Sequence, residues 1–182
     1  MSRKYKFLDR EGIYFVTFAT IKWIDVFIRE AYFECIIESL KFCRLNKGME
    51  IYGYCIMPSH VHMIFCSTAG DPSGLLRDFK GYTSKAMQKL LLGYGGESRR
   101  EWILSMMKSA GEKNSNVKNL QFWQQHNHPI VLYSAHVFDQ KLNYIHANPV
   151  VSGFVVEPAH WKYSSARNYE QNDQSVLEID ME

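Results

Sequence analysis

His60 and His62 are the pair of residues in this chain best placed by type and spacing to do chemistry. They stand in Met57-Pro58-Ser59-His60-Val61-His62-Met63-Ile64-Phe65, a turn running into a short apolar strand. Successive side chains of a strand alternate faces, so the two imidazoles point the same way. Two imidazoles projecting together from a rigid strand make half of a metal site. Two ligands do not hold a catalytic ion alone, so other parts of the chain must complete the site.

Several readings of the pair compete. A hydrogen-bonded structural pair, or chance, is the plainest. A histidine-triad hydrolase needs a third histidine in alternation, and Ile64 occupies that place. A two-histidine phosphoesterase needs two separate His-x-Ser/Thr motifs. A metal-dependent DNA nicking enzyme of the HUH type has two histidines around a bulky hydrophobic residue and requires a tyrosine on a helix elsewhere. The chain offers one in Lys141-Leu142-Asn143-Tyr144-Ile145-His146-Ala147-Asn148-Pro149-Val150. On that helix Phe138, Leu142 and Ile145 share a face that should pack on the sheet. Tyr144 lies on the flank, with Asn148 at i+4 and Lys141 at i−3, so a phenol, a carboxamide and an ammonium line one stripe. His146 faces away from Tyr144. Taken singly, Tyr144 reads as amphipathic packing and Asn148 as a helix cap.

The elements that must position these groups follow from the hydrophobic pattern. Residues 12–20 are β-branched and aromatic and read as a buried strand. Residues 29–45 have helical spacing and end at Asn46-Lys47-Gly48. A second strand covers 50–57 and a third runs from about 60 to 65; their short connection implies an antiparallel hairpin. Residues 68–73 read as a loop, 75–92 as a helix, and 97–110 as a further helix. Residues 111–119 form a polar loop, and 129–133 a fourth strand. Ser134 caps a helix to about Ala147, stopped by Pro149. The order βαββαβ with a helical C-terminal part is that of an α+β, ferredoxin-like antiparallel sheet with helices on one face.

The 182 residues suit a single domain, 1–182, with an acidic tail from about Gln171 expected to be loosely attached. With 46% hydrophobic and 22% charged residues the chain is globular and not disordered. A net charge of +2 does not by itself demand a nucleic-acid partner. Cys35, Cys43, Cys55 and Cys66 form no C-x-x-C pair and read as buried free thiols, which implies a reducing, cytoplasmic compartment. The N-terminus, residues 1–10, lacks the apolar core of a signal peptide, and no apolar run is long enough to span a membrane. On the second helix Arg77, Lys80, Lys85 and Lys89 occur with Tyr82 between them, either a solvated face or a grip on phosphates. His126 and His128 read as loop or DNA-side residues.

The stretches MPSHVHMIF, LLRDFKGYTSKAM, FWQQHNHPI, KLNYIHANPV followed by Gly153, and WKYSSARNY carry a resemblance over about Tyr14 to Tyr169. The chain resembles the single-tyrosine HUH transposases, and among them those associated with repetitive extragenic palindromes. The resemblance implies a ferredoxin-like core, Mg²⁺ or Mn²⁺, and a covalent 5′-phosphotyrosine formed on single-stranded hairpin DNA. It makes His60 and His62 metal ligands, Tyr144 the nucleophile and Asn148 the third ligand, where more distant relatives use a glutamine or an acid. It also favours phosphate contact by Arg77, Lys80, Tyr82, Lys85 and Lys141, and allows a monomer or a homodimer. The rival of another class is a domesticated, non-catalytic nucleic-acid-binding module on the same fold.

Overall fold

Where β-branched and aromatic residues run together the chain forms strands: Tyr14–Ala19 (β1), Met49–Ile56 (β2) and His60–Ser67 (β3). A two-residue strand, Ile130–Val131 (β4), completes the sheet. The helices are Glu30–Lys47 (α1), Pro72–Gly93 (α2), Arg100–Glu112 (α3), Ala135–Val151 (α4) and Ala166–Gln171 (α5). This computed structural model describes residues 6–115 and 119–181. Part of the expected 111–119 loop (116–118) and the first five residues of the N-terminal reading lie outside the described residues.

The sheet order is β2-β3-β1-β4, with every neighbouring pair antiparallel. This is the ferredoxin-like arrangement expected from the element order. Period-two alternation divides the strands into two faces. Val16, Phe18, Val61 and Met63 meet Ile36, Ile37 and Leu40 of α1, Leu76 and Phe79 of α2, and Ile103 and Met107 of α3. Phe15, Tyr52, Ile64 and Cys66 face the other way and are covered by Phe138, Leu142 and Ile145 of α4. The three α4 residues expected to share a sheet-facing stripe therefore do so. Gly53 lets the two layers approach: a Cβ there would lie 2.7 Å from Leu142 Cδ1. It sits at the register irregularity where β2 passes from Ile51 to Gly53 against β3.

Four boundaries differ from the sequence expectation. The segment 68–73 is not all loop, because Asp71 Oδ1 accepts a hydrogen bond from Gly74 N at 2.8 Å and Pro72 opens α2. Pro149 does not stop α4, which runs on to Val151. Pro149 gives up its own N–H bond and crowds the carbonyl four residues back, but the chain beyond it is still closed by Ser152 N to Asn148 O (3.0 Å) and Phe154 N to Pro149 O (2.9 Å). The fourth strand is short because His128 is left-handed (φ 42°) and Pro129 has no N–H to pair. The chain still follows β1 upstream, with Thr17 N donating to Asn127 O at 3.1 Å. The acidic tail is not loosely attached over the described residues. Leu177 and Ile179 are buried, Ile51 N donates to Asp180 Oδ2 (2.8 Å), and Asp180 N donates to Ile51 O (2.8 Å). Arg44 grips the carboxylates of Asp180 (2.6 Å) and Glu178 (3.1 Å), so the tail covers the exposed edge of β2.

Candidate active site

His60 and His62 stand on the α4 face of β3, as alternation requires, opposite Ala19 and Thr17 of β1. Their Nε2 atoms are 3.1 Å apart. The other ring nitrogens are held from behind: Thr17 Oγ1 lies 2.7 Å from His62 Nδ1, and Ser59 Oγ lies 3.2 Å from His60 Nδ1. With each Nδ1–H given to a hydroxyl, both Nε2 lone pairs face one point. Phe15 stacks on His62 at 5.7 Å between centroids. Burial pushes His60 down to about 4. His62 falls to about 3, chiefly through burial, with smaller contributions from His60 and Lys141. Both rings are therefore neutral at physiological pH, which is the form that ligates metal.

α4 brings the remaining groups. A side-chain atom of Asn148 (Nδ2) lies 3.1 Å from His62 Nε2, and a half-turn of the amide sets Oδ1 there instead. The Tyr144 ring is 5.2 Å from the His62 ring, half-exposed. Lys141 Nζ lies 5.1 Å from the Phe15 centroid and 5.9 Å from that of Tyr144. Two imidazole nitrogens and a carboxamide oxygen converging from two rigid elements fit a divalent ion, and leave positions open for phosphate oxygen and water. Among the described residues no three His, Cys, Asp or Glu side chains cluster for a metal. His146 points away, with Nε2 2.9 Å from Ser165 Oγ and its ring against Tyr169.

The α2 residues are not brought to this site. α2 packs on the opposite face of the sheet. Arg77 is exposed and paired with Asp78 at 3.0 Å; Tyr82 and Lys85 are exposed as well. Lys80, expected on a phosphate, is instead an internal tie. Its ammonium donates to Gln124 O (2.8 Å) and to Asn127 Oδ1, and burial lowers its pKa to about 8. It thereby holds the loop that bears His126 and His128, both exposed, against β1. A groove of about 770 Å³ between α1 and α2, lined by Cys43, Leu45, Phe79 and Tyr82, also lies across the sheet from the histidines. The four cysteines are free thiols; Cys43, Cys55 and Cys66 are buried, Cys35 partly so.

Sequence reasoning missed Thr17, Ser59 and Trp23. Thr17 had a signal, being the polar residue within an otherwise apolar β1 whose register faces His62. Ser59 neighbours His60 in the chain. Trp23 gave no sign, since its contact with His60 depends on how the β1–α1 connection folds.

The structure is thus a ferredoxin-like sheet that presents paired histidines to a tyrosine-bearing helix, and the comparisons with known proteins give its class. Residues 13–105 match the family described as transposase IS200-like, and the chain belongs to that family. The matched span includes both histidines and ends before α4. Among solved structures, a REP-associated tyrosine transposase bound to a REP hairpin is similar over 100% of both chains, at 18% identity and a TM-score of 0.65. A putative transposase from Deinococcus radiodurans R1 aligns over 80% of this chain and 94% of its own, at 20% identity and a TM-score of 0.39. A comparison with curated proteins found no match. No helix among the described residues is long and apolar enough to cross a membrane.

Proposed function

We propose that this transposase cleaves and rejoins single-stranded DNA next to a hairpin, through a covalent 5′-phosphotyrosine on Tyr144. The observation that carries the reading is the delivery of Tyr144 and Asn148, one turn apart on α4, to the two histidines on β3. His60, His62 and Asn148 would hold Mg²⁺ or Mn²⁺. Such an ion polarises a phosphoryl oxygen and offsets developing charge. The Tyr144 oxygen, once deprotonated, attacks phosphorus; the P–O3′ bond breaks and the leaving 3′-oxygen takes up a proton. The 3′-hydroxyl of a second strand then attacks the phosphotyrosine and releases the phenol, so joining needs no ATP. Thr17 and Ser59 fix the imidazoles. Lys141 lies close enough to bring positive charge to the same phosphate. The similarity in fold to a hairpin-bound relative supports hairpin DNA as the substrate class.

The test mixes the protein with hairpin-bearing single strands from the flanks of its own gene in Mn²⁺. A covalent adduct is expected, mapped by mass spectrometry to the peptide containing Tyr144 and abolished by EDTA. An adduct that persists undiminished in EDTA rejects the metal assignment. No adduct with any such strand leaves a nucleic-acid-binding module as the better reading.

A further inference from the structure

The connection between β1 and α1 contains two consecutive non-glycine residues in left-handed conformation, Lys22 (φ 52°, ψ 22°) and Trp23 (φ 55°). Side chains with a Cβ seldom adopt this region, and a bulky residue there is an outlier held by its surroundings. The surroundings are specific. Ile21 N donates to Phe122 O (2.8 Å), Trp23 N to Thr20 O (3.1 Å), and Phe27 N to Pro58 O (2.8 Å). The Thr20 hydroxyl lies 2.7 Å from Ile24 O and 3.0 Å from Ser59 O. Ile21 and Ile24 are buried on either side. The turn is thus pinned to the same Pro58-Ser59 segment that starts the histidine strand.

What this arrangement achieves is the placement of one indole. Trp23 leaves the turn with 53% of its surface exposed, and its ring lies 5.1 Å from that of His60, inclined at 66°. Trp123 and Trp161 show the ordinary structural use of this side chain: both are packed, and their N–H groups donate to Thr83 Oγ1 (2.9 Å) and Ile56 O (3.0 Å). Among the described residues Trp23 shows neither feature. Bracing His60 uses one side of the indole and leaves the greater part of a large apolar ring in water. The rings of Trp23, His60, His62 and Tyr144 are linked in that order, with centroid separations of 5.1, 4.7 and 5.2 Å. An extended strand of a few nucleotides would be long enough to run from Trp23 to Tyr144.

We infer that Trp23 is a stacking platform for an unpaired base of the strand whose phosphodiester reaches Tyr144. The inference rests on the proposed reaction. Unpaired bases stack on exposed aromatic rings with little regard to sequence, because every base has a π-face. A platform at the His60 end and a nucleophile at the His62 end would fix the register of the strand across the site. Trp23 is on this account a positioning residue.

The experiment measures equilibrium binding, in the Tyr144→Phe background, so that no covalent capture intervenes. Hairpin-bearing single strands carry one abasic site moved in turn through the unpaired nucleotides beside the hairpin foot. With Trp23 present, one position should weaken binding by about 5- to 150-fold, the range of one base–aromatic stack. Trp23→Ala should lose a similar factor on the intact strand and nothing further at that one position. Trp23→Phe should recover most of the loss, which a mere change in folding would not produce. A uniform loss at every abasic position in Trp23→Ala, or no loss at all, overturns the inference. Adduct formation by the wild type with a flat abasic profile overturns it while leaving the reaction standing. Failure to bind hairpin strands overturns both.

Discussion

The two faces of the sheet are built from the same strands and do different work. On the helical side Val16, Phe18, Val61, Met63 and Phe65 are sealed by α1, α2 and α3, and the polar groups of that face, Tyr14 and Ser67, stand at the strand ends with local partners: the Tyr14 hydroxyl donates to Asp9 O and Ser67 Oγ accepts from Asp71 N. On the α4 side the intervening residues include Thr17, His60 and His62, and the cover is one helix that approaches over Gly53. One face is closed completely and fixes the strands. The other is closed only in part, and groups that can bind metal and phosphate occupy the remainder. A residue moved by one position along β3 changes from holding the fold to making the site.

The largest expected effect comes from Tyr144→Phe on the open face. The ring and its contacts with Phe15 and His62 stay, while the oxygen proposed to attack phosphorus is removed. Adduct formation and strand joining should disappear, with stability changed by no more than ~1 kcal/mol because the residue is half-exposed. DNA and metal binding should remain. An adduct retained in Tyr144→Phe would place the nucleophile elsewhere.

Met63→Ala, one position beyond His62, should have the opposite profile. Met63 is fully buried on the sealed face, so the truncation should cost about 2–5 kcal/mol in a urea titration. Metal affinity of the folded fraction should be close to wild type. A large fall in metal affinity with little loss of stability would mean that the two faces are not separable in this way.

How much of this was legible in the sequence follows from the range of the interactions. Alternation placed His60 and His62 on one face, and helical spacing placed Lys141, Tyr144 and Asn148 on one stripe, because both rest on contacts within a few residues. The strand order emerged from the βαββαβ sequence of elements. Lys80 reads from the sequence as part of a solvated face or a grip on phosphate, and its tie to the loop from Gln124 to Asn127 is not legible in the helix pattern. The tail reads as loose, with Val176 and Leu177 as its apolar anchors, because Ile179 and the carboxylate that completes the edge of β2 find their places only once the sheet has formed. Each of these depends on a partner more than forty positions away.

Thr17→Val tests the back of the open face. The change keeps shape and removes the oxygen 2.7 Å from His62 Nδ1. Outer partners of a ligating histidine fix its tautomer and orientation, and their loss typically costs about 10- to 100-fold in metal affinity. Titration of Mn²⁺ should show such a loss, with DNA binding in chelator unchanged. An unaltered Mn²⁺ affinity would mean that His62 needs no orienting group, and the convergence of the two Nε2 atoms would then be maintained by packing on Phe15 alone.

The smallest effect lies on the helical side, in a buried carboxylate. Glu97, with no exposed side-chain surface, receives Arg99 Nε at 3.0 Å, Arg29 Nε at 3.2 Å and the Tyr32 hydroxyl at 3.3 Å. Burial alone would raise its pKa, but the hydrogen bonds and charge of Arg99, with help from Arg29, outweigh that and lower it from 4.5 to about 2. A carboxyl whose folded pKa lies below its unfolded value favours the native state above the unfolded pKa. That contribution fades as pH falls from about 4.5 towards 2. The two arginines are each about a third exposed, so solvent screening reduces the gain to the order of 1 kcal/mol. Urea midpoints measured from pH 6 to pH 3 should therefore fall more steeply for wild type than for Glu97→Gln, whose amide cannot titrate. Because the network ties the start of α1 to the turn before α3, the divergence should appear in stability and not in metal affinity at neutral pH. Parallel curves for the two proteins would show that Glu97 is not what makes the closed face sensitive to acid.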